Sequence, residues 1–191
     1  MKVLSANKIK LIRSTISYST AFSICFGLIQ DQITIRLCPE YFTIWHPNPL
    51  GIHNLTILAL YWGVVATWWV GLILGILLSW IAVWGDKPLP YFAYIRKLLF
   101  ATTLMSALSA ILAGIIAASS NFIAPNWIMG EIARLPLETK RAFSMDLAIH
   151  TVAYDSAALL GILITVLLWR KRFKPKTRER TTNLQIETTR L

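Results

Sequence analysis

Acidic residues are scarce in this chain. Nine Asp and Glu stand against 19 Lys and Arg in 191 residues, and charged residues of both signs make up only 15%. A soluble domain of this length carries about a quarter charged residues, so composition argues against an ordinary water-soluble fold. Cysteine is nearly absent. Cys25 and Cys38 form no CxxC or CxxCH pattern, so neither a zinc knuckle nor a haem attachment is indicated, and two unpaired thiols are expected. The chain also lacks a Walker loop, a GxGxxG fingerprint, HExxH and GxSxG, which leaves nucleotide, dinucleotide, zincin and serine-hydrolase chemistry without support. No repeat suggests a solenoid.

What the chain has is long apolar runs. Hydrophobic residues make up 55% and the mean hydropathy is +0.57. The reading is an all-α membrane protein, a four-transmembrane-helix bundle with an ordered extracytoplasmic loop. One domain covers residues 1–172, with spans over about 11–30, 55–84, 98–120 and 142–169, each near the roughly 20 residues that cross a bilayer. The first is diluted by Arg13, Ser14, Thr15, Ser17, Ser19 and Thr20. It lacks a small-x-small cleavage site and reads as an uncleaved helix. The second would be about 45 Å long and must tilt or protrude. Residues 173–191 form a basic, disordered cytoplasmic tail suited to anionic lipid.

Orientation follows the basic residues. The N-terminus, the loop with Lys87, Arg96 and Lys97, and the segment from Arg170 onward hold 15 of the 19. Both termini therefore face the cytoplasm, and the chain reads as a multi-pass protein of an inner (plasma) membrane. The net charge of +10 is explained by topology, and no nucleic-acid recognition motif accompanies it.

Small residues recur every four positions: Gly63, Thr67, Gly71, Gly75 and Ser79; Ser106, Ala110, Gly114 and Ala118; Ala153, Ala157, Gly161 and Thr165. Such ladders let backbones approach closely in lipid, within one chain, in a homo-oligomer or against a membrane-complex partner. The outer loop 31–54 opens with Gln32–Leu37, whose alternation predicts an extended stretch. Pro39, Pro47 and Pro49 then exclude a long helix, and Tyr41, Phe42, Ile44 and Trp45 suggest a lid over the bundle. Ile128, Ile132 and Leu135 share a face, which predicts a short interfacial helix between Pro125 and Pro136.

The last span holds the chemistry. Asp146, His150 and Tyr154 recur every four residues and form one helical stripe. Ionisable groups are costly in a bilayer and mark function or pairing. A carboxylate and an imidazole at this spacing suit one metal ion, or an oriented imidazole. Glu40 and His46 on the outer loop would complete a set of Glu40, His46, Asp146 and His150 for a divalent zinc, iron or manganese ion. Tyr154 is a candidate proton donor. The structural alternative makes Asp146 a first-turn acid after a Ser144 cap and His150 an interhelical hydrogen bonder. Asp155 lies about 140° from His150 around the helix. It reads as an intramembrane ionisable group, paired with Arg13 or hydroxyls of helix one, or as part of a proton or ion path.

The run Cys38-Pro39-Glu40-Tyr41-Phe42-Thr43 with His46-Pro47, together with Phe143, Asp146, Leu147, His150 and Tyr154, resembles a pattern in small uncharacterised bacterial four-helix integral membrane proteins. The resemblance points to the same residues and implies no activity. Three functions stay open. The chain binds a metal ion at its outer face, with or without being an enzyme; it is a non-catalytic structural or assembly subunit; or it is a small transporter or channel component using Asp155.

Overall fold

The computed structural model describes residues 5–85 and 88–173, and the fold is all helical among them. The expected basic tail lies, apart from Phe173, outside the described residues. Ser5 caps α1 (Ala6–Leu37) by accepting from the Lys8 backbone. A π-helical turn, Tyr41–Trp45, follows Pro39. Next come α2 (Leu55–Val65), capped by Asn54, and α3 (Trp68–Val83). α4 (Phe92–Ser119) leads to the short α5 (Asn126–Met129), a 3-10 turn at Gly130–Arg134 and α6 (Leu137–Phe173). Among the described residues, three helical stretches are long and apolar enough to cross a membrane: Leu55–Val83, Phe92–Ser119 and Leu137–Phe173.

Several boundaries differ from the sequence reading. The stretch Gln32–Leu37 is helix, not an extended segment. Asp31, Thr34, Ile35 and Cys38 are buried while Ile33, Arg36 and Leu37 are exposed, so the underlying period is 3.6, and the ladder runs on until Cys38 N–H bonds Thr34 O. The helix stops where Pro39 removes the next donor. The fourth helix starts at Leu137, directly after Pro136, rather than near 142. Asp146 is therefore more than two turns inside and is not a first-turn acid.

The long second span is interrupted at Ala66–Thr67. Thr67 has φ −119°, and its hydroxyl bonds back to Gly63 O, a local competitor of the helical ladder. The Ala66 carbonyl is paired across helices, with Tyr154 OH donating to it at 3.0 Å, and Thr67 O, which accepts from the Val70 and Gly71 N–H groups, also accepts from Ser23 Oγ at 2.9 Å.

Packing rests on the small residues. α1 packs chiefly on α3 and α2, α4 packs on α6, and α3 meets α6 to join the pairs. The Gly63, Gly71, Gly75 ladder is filled from within the chain, by the α1 backbone at Leu28, Ser19–Thr20 and Ile16 respectively. Two apolar clusters result. One surrounds Tyr41, Phe42, Leu58, Ile132 and Phe143 at the Cys38 end, and the other surrounds Leu11, Leu78, Ile95 and Leu168 at the Trp84 end. At the Trp84 end, Lys8 Nζ donates to Gly85 O at 2.9 Å and Arg172 donates to the carbonyls of Trp84 and Pro88.

A methyl group on Gly71 would lie 2.5 Å from Ser19 O and 2.8 Å from Thr20 Cα, whereas one on Gly161 meets only Leu74 Cδ1 at 3.4 Å. Gly71→Ala is expected to lower the unfolding free energy in detergent by about 1–3 kcal/mol. Gly161→Ala is expected to leave it unchanged or raise it by up to about 1 kcal/mol through helix propensity. Equilibrium denaturation of both variants checks the pair, and equal effects would contradict the packing.

Candidate functional site

The chemistry gathers at the Cys38 end, between α1 and α6. His150 Nε2 lies 3.3 Å from Asp146 Oδ1, 3.9 Å from Asp31 Oδ1 and 3.1 Å from Thr34 Oγ1. Its Nδ1 lies 3.3 Å from the Gln30 amide nitrogen. With that amide donating, Nδ1 accepts and the imidazole proton sits on Nε2, facing both carboxylates. All three groups are shielded: Asp146 is 0%, Asp31 4% and His150 8% exposed. Neither oxygen of Asp146 has a well-formed hydrogen bond.

A cavity of about 280 Å³ adjoins this cluster, reached by Asp31, His46, His150 and Tyr154 and walled by Tyr41, Phe42, Trp45 and Trp62. The Tyr41 ring stacks on His150 with centroids 4.8 Å apart and meets His46 edge-on at 4.9 Å. His46 in turn packs 4.7 Å from Trp62. The loop carrying these rings is pinned by Trp45 Nε1, which donates to Ile128 O at 2.7 Å. Burial, with the charge of His150 adding to it, lowers the His46 pKa to about 4, so this imidazole is neutral at pH 7. Burial likewise pushes the Cys38 thiol up to about 12, and it remains a thiol that donates to Glu40 Oε2 at 3.6 Å.

Of the residues singled out from sequence, His46, His150 and Tyr154 line this one cavity, and Asp146 lies behind His150 without reaching it. Glu40 does not line it, because its carboxylate is turned to Cys38. Among the described residues no group of three or more His, Cys, Asp or Glu side chains is already arranged to hold a metal ion. Asp155 is exposed on α6 and pairs with neither Arg13 nor a hydroxyl of α1.

Sequence reasoning missed Asp31, Thr34, Gln30 and Trp62. The first two share a face at i, i+3, a signal hidden by the apparent alternation of Gln32–Leu37. Neither a protein-family model, nor a curated protein, nor a solved structure matches this chain.

The His46 shift has a sign that can be checked. The unfolded chain binds a proton on His46 near pH 6.5 and the folded chain only near pH 4. Between those values the unfolded state carries the extra proton, so this group costs stability as pH falls through the window. Denaturation curves from pH 6.5 down to 4 are expected to shift more for the native sequence than for His46→Gln. Identical pH slopes would place His46 in water.

Proposed function

We propose that this chain is a four-span protein of a bacterial inner membrane and that Asp31, Asp146 and His150 form an acid–base centre serving the aromatic cavity at its outer end. α1 supplies the fourth span. It packs along both α2 and α3, and of the polar groups that dilute its hydropathy Thr15, Ser19, Asp31 and Thr34 are buried in the bundle, while Arg13 and Ser17 are exposed. Among the described residues Lys8, Lys10, Arg13, Arg96, Lys97, Arg170, Lys171 and Arg172 lie towards the Trp84 end, which supports cytoplasmic termini and an outward-facing cavity. The basic tail would then meet anionic lipid of the inner leaflet.

One observation carries the reading: two buried carboxylates are directed at a single imidazole nitrogen beside a cavity that a small molecule could occupy. Buried carboxylates need a compensating positive charge, and a shared proton is the simplest. Asp31 reaches the cavity and would exchange a proton with a bound substrate. The His150 Nε2–H, which faces both carboxylates, would stabilise Asp31 after it gives up that proton, and Asp146, behind it, would hold the ring in that tautomer. Neutral His46 and Tyr154 would orient the substrate by hydrogen bonds.

The test uses proteoliposomes incubated with a total lipid and small-molecule extract of bacterial cells, followed by mass spectrometry. The native sequence is expected to convert at least one species. Asp31→Asn and His150→Gln should each slow that conversion by about 100-fold or more, and Glu40→Gln should leave it unchanged. Extracts that stay identical with every protein would end the acid–base reading.

A second reading rests on the unsatisfied Asp146 carboxylate. A divalent cation could replace the proton, held by Asp31, Asp146 and His150, and zinc, iron or manganese would suit this hard donor set. Gln30 would then turn its oxygen to Nδ1–H. Metal analysis of purified protein separates the two. About one ion per chain, lost in Asp146→Asn, supports the metal; none in either supports the shared proton.

A further inference from the structure

A second concavity remains unexplained by the site. α3 and α4 scarcely touch, and between them, floored by α1 and α6, runs an apolar groove of about 530 Å³. Phe22, Phe26, Leu74, Leu99 and Gly161 line it, and the exposed Trp69, Ile73, Leu77 and Ile162 border it. A groove of this kind inside a membrane protein is open to the hydrocarbon of the bilayer.

Three observations say what fits it. Tyr154 lines both the groove and the aromatic cavity, so the two are neighbours along α6. Ser106, on the α4 wall, is only 1% exposed, and its hydroxyl has no hydrogen-bond partner; it lines the groove as an unspent donor. Asp155 also lines the groove, is exposed, and forms no hydrogen bond or ion pair among the described residues. A carboxyl group in contact with hydrocarbon is costly unless something bonds it. A wholly apolar occupant would leave both groups unsatisfied, whereas a molecule whose polar end reaches from the cavity past Tyr154 into the top of the groove would satisfy them.

Length narrows the class further. The cavity begins at Leu147 and the groove ends at Val166, a run of about 28 Å at the helical rise of 1.5 Å per residue. The hydrocarbon core is about 30 Å thick, so each leaflet contributes about 15 Å. A molecule with its polar end in the cavity and its tail in the groove must pass the bilayer midplane. An ordinary acyl chain, which serves one leaflet, falls short of the full run of about 28 Å.

We infer that the groove holds the tail of a long single-chain amphiphile whose polar end enters the aromatic cavity. The substrate of the site is thus a membrane-borne, long-chain hydroxylated lipid, drawn sideways from the bilayer between α3 and α4. This names the substrate class of the acid–base centre and, in that respect, rests on the function proposed for it; the groove's occupancy is independent of whether any conversion follows.

Photolabelling tests it. Two probes carry a diazirine at the methyl end, lignoceryl alcohol (long) and lauryl alcohol (short), and each is equilibrated with the full-length protein in nanodiscs. The long probe is expected to label peptides around Leu77 and Val166, and the short one peptides around Trp69 and Ala158. Ala157→Trp and, from the opposite wall, Ser106→Phe should each cut groove labelling by about tenfold, with unchanged gel filtration and melting temperature marking a folded bundle. If one variant fails to fold, the other decides. Labels spread evenly over lipid-facing positions such as Ile111 and Ile115, and indifferent to both variants, would overturn the inference. Groove labelling that survives while Asp31→Asn converts extract normally would end the acid–base reading alone. Scattered labelling with conversion still dependent on Asp31 would end only the groove.

Discussion

Asp31 and Asp146 converge on one nitrogen of His150 with almost no access to water. Desolvated carboxylates are among the most costly groups a fold can bury, and two of them around one imidazole require a positive charge that belongs to neither. Much of the surrounding structure serves that arrangement. Thr34 and Gln30 occupy the two ring nitrogens from α1. Tyr41 covers the imidazole face, and the Trp45 bond to Ile128 holds the loop that carries Tyr41 in place. The aromatic cover lowers local polarity, which strengthens each electrostatic contact beneath it.

That convergence depends on backbone proximity far from it. Asp31 and His150 lie on helices with few mutual contacts; α1 is held mainly by α3 and α2. Hydrophobic burial gives little association in lipid, so close approach at small residues must supply the packing. Gly63, Gly71 and Gly75 let the α1 backbone reach van der Waals contact over the length of the α2–α3 pair. The ladder therefore sets the height and rotation of α1, and through them the position of Asp31 beside α6. A side chain on the ladder would disturb the cluster of Asp31, Asp146 and His150 without touching it.

The division between what the sequence disclosed and what it concealed has physical causes. Long apolar runs need no partner to be recognised, so three membrane-length helices were legible from hydropathy alone. The stripe of Asp146, His150 and Tyr154 was legible because helical spacing alone puts those residues on one face. Asp31 was hidden because Gln32–Leu37 alternates by chance, and only contact with α6 shows that its period is helical. The break at Ala66–Thr67 contains neither proline nor glycine. It depends on Thr67 bonding its own helix and on the Tyr154 hydroxyl of α6 arriving at the Ala66 carbonyl, which no local pattern reports. Glu40 and His46 were equal candidates on paper. The π-helical turn between them directs His46 into the cavity and leaves Glu40 with Cys38, a choice made by one residue of backbone register.

Tyr154 joins these levels. Its hydroxyl bonds the carbonyl released by the break at Ala66, its ring lies parallel to Trp69 just beyond that break, and its edge borders both the polar cavity and the apolar groove. A continuous α2–α3 helix would use the Ala66 carbonyl internally and offer Tyr154 no acceptor. The interruption thus fixes Tyr154 at the boundary between the two compartments. Its hydroxyl has one acceptor within the protein and keeps its lone pairs for a guest. A hydroxyl held at that boundary is suited to meet the polar end of a chain entering from the membrane, on the same helical stripe as the imidazole one turn away. The break in the second span and the ionisable stripe on the last span are, on this view, two halves of one site.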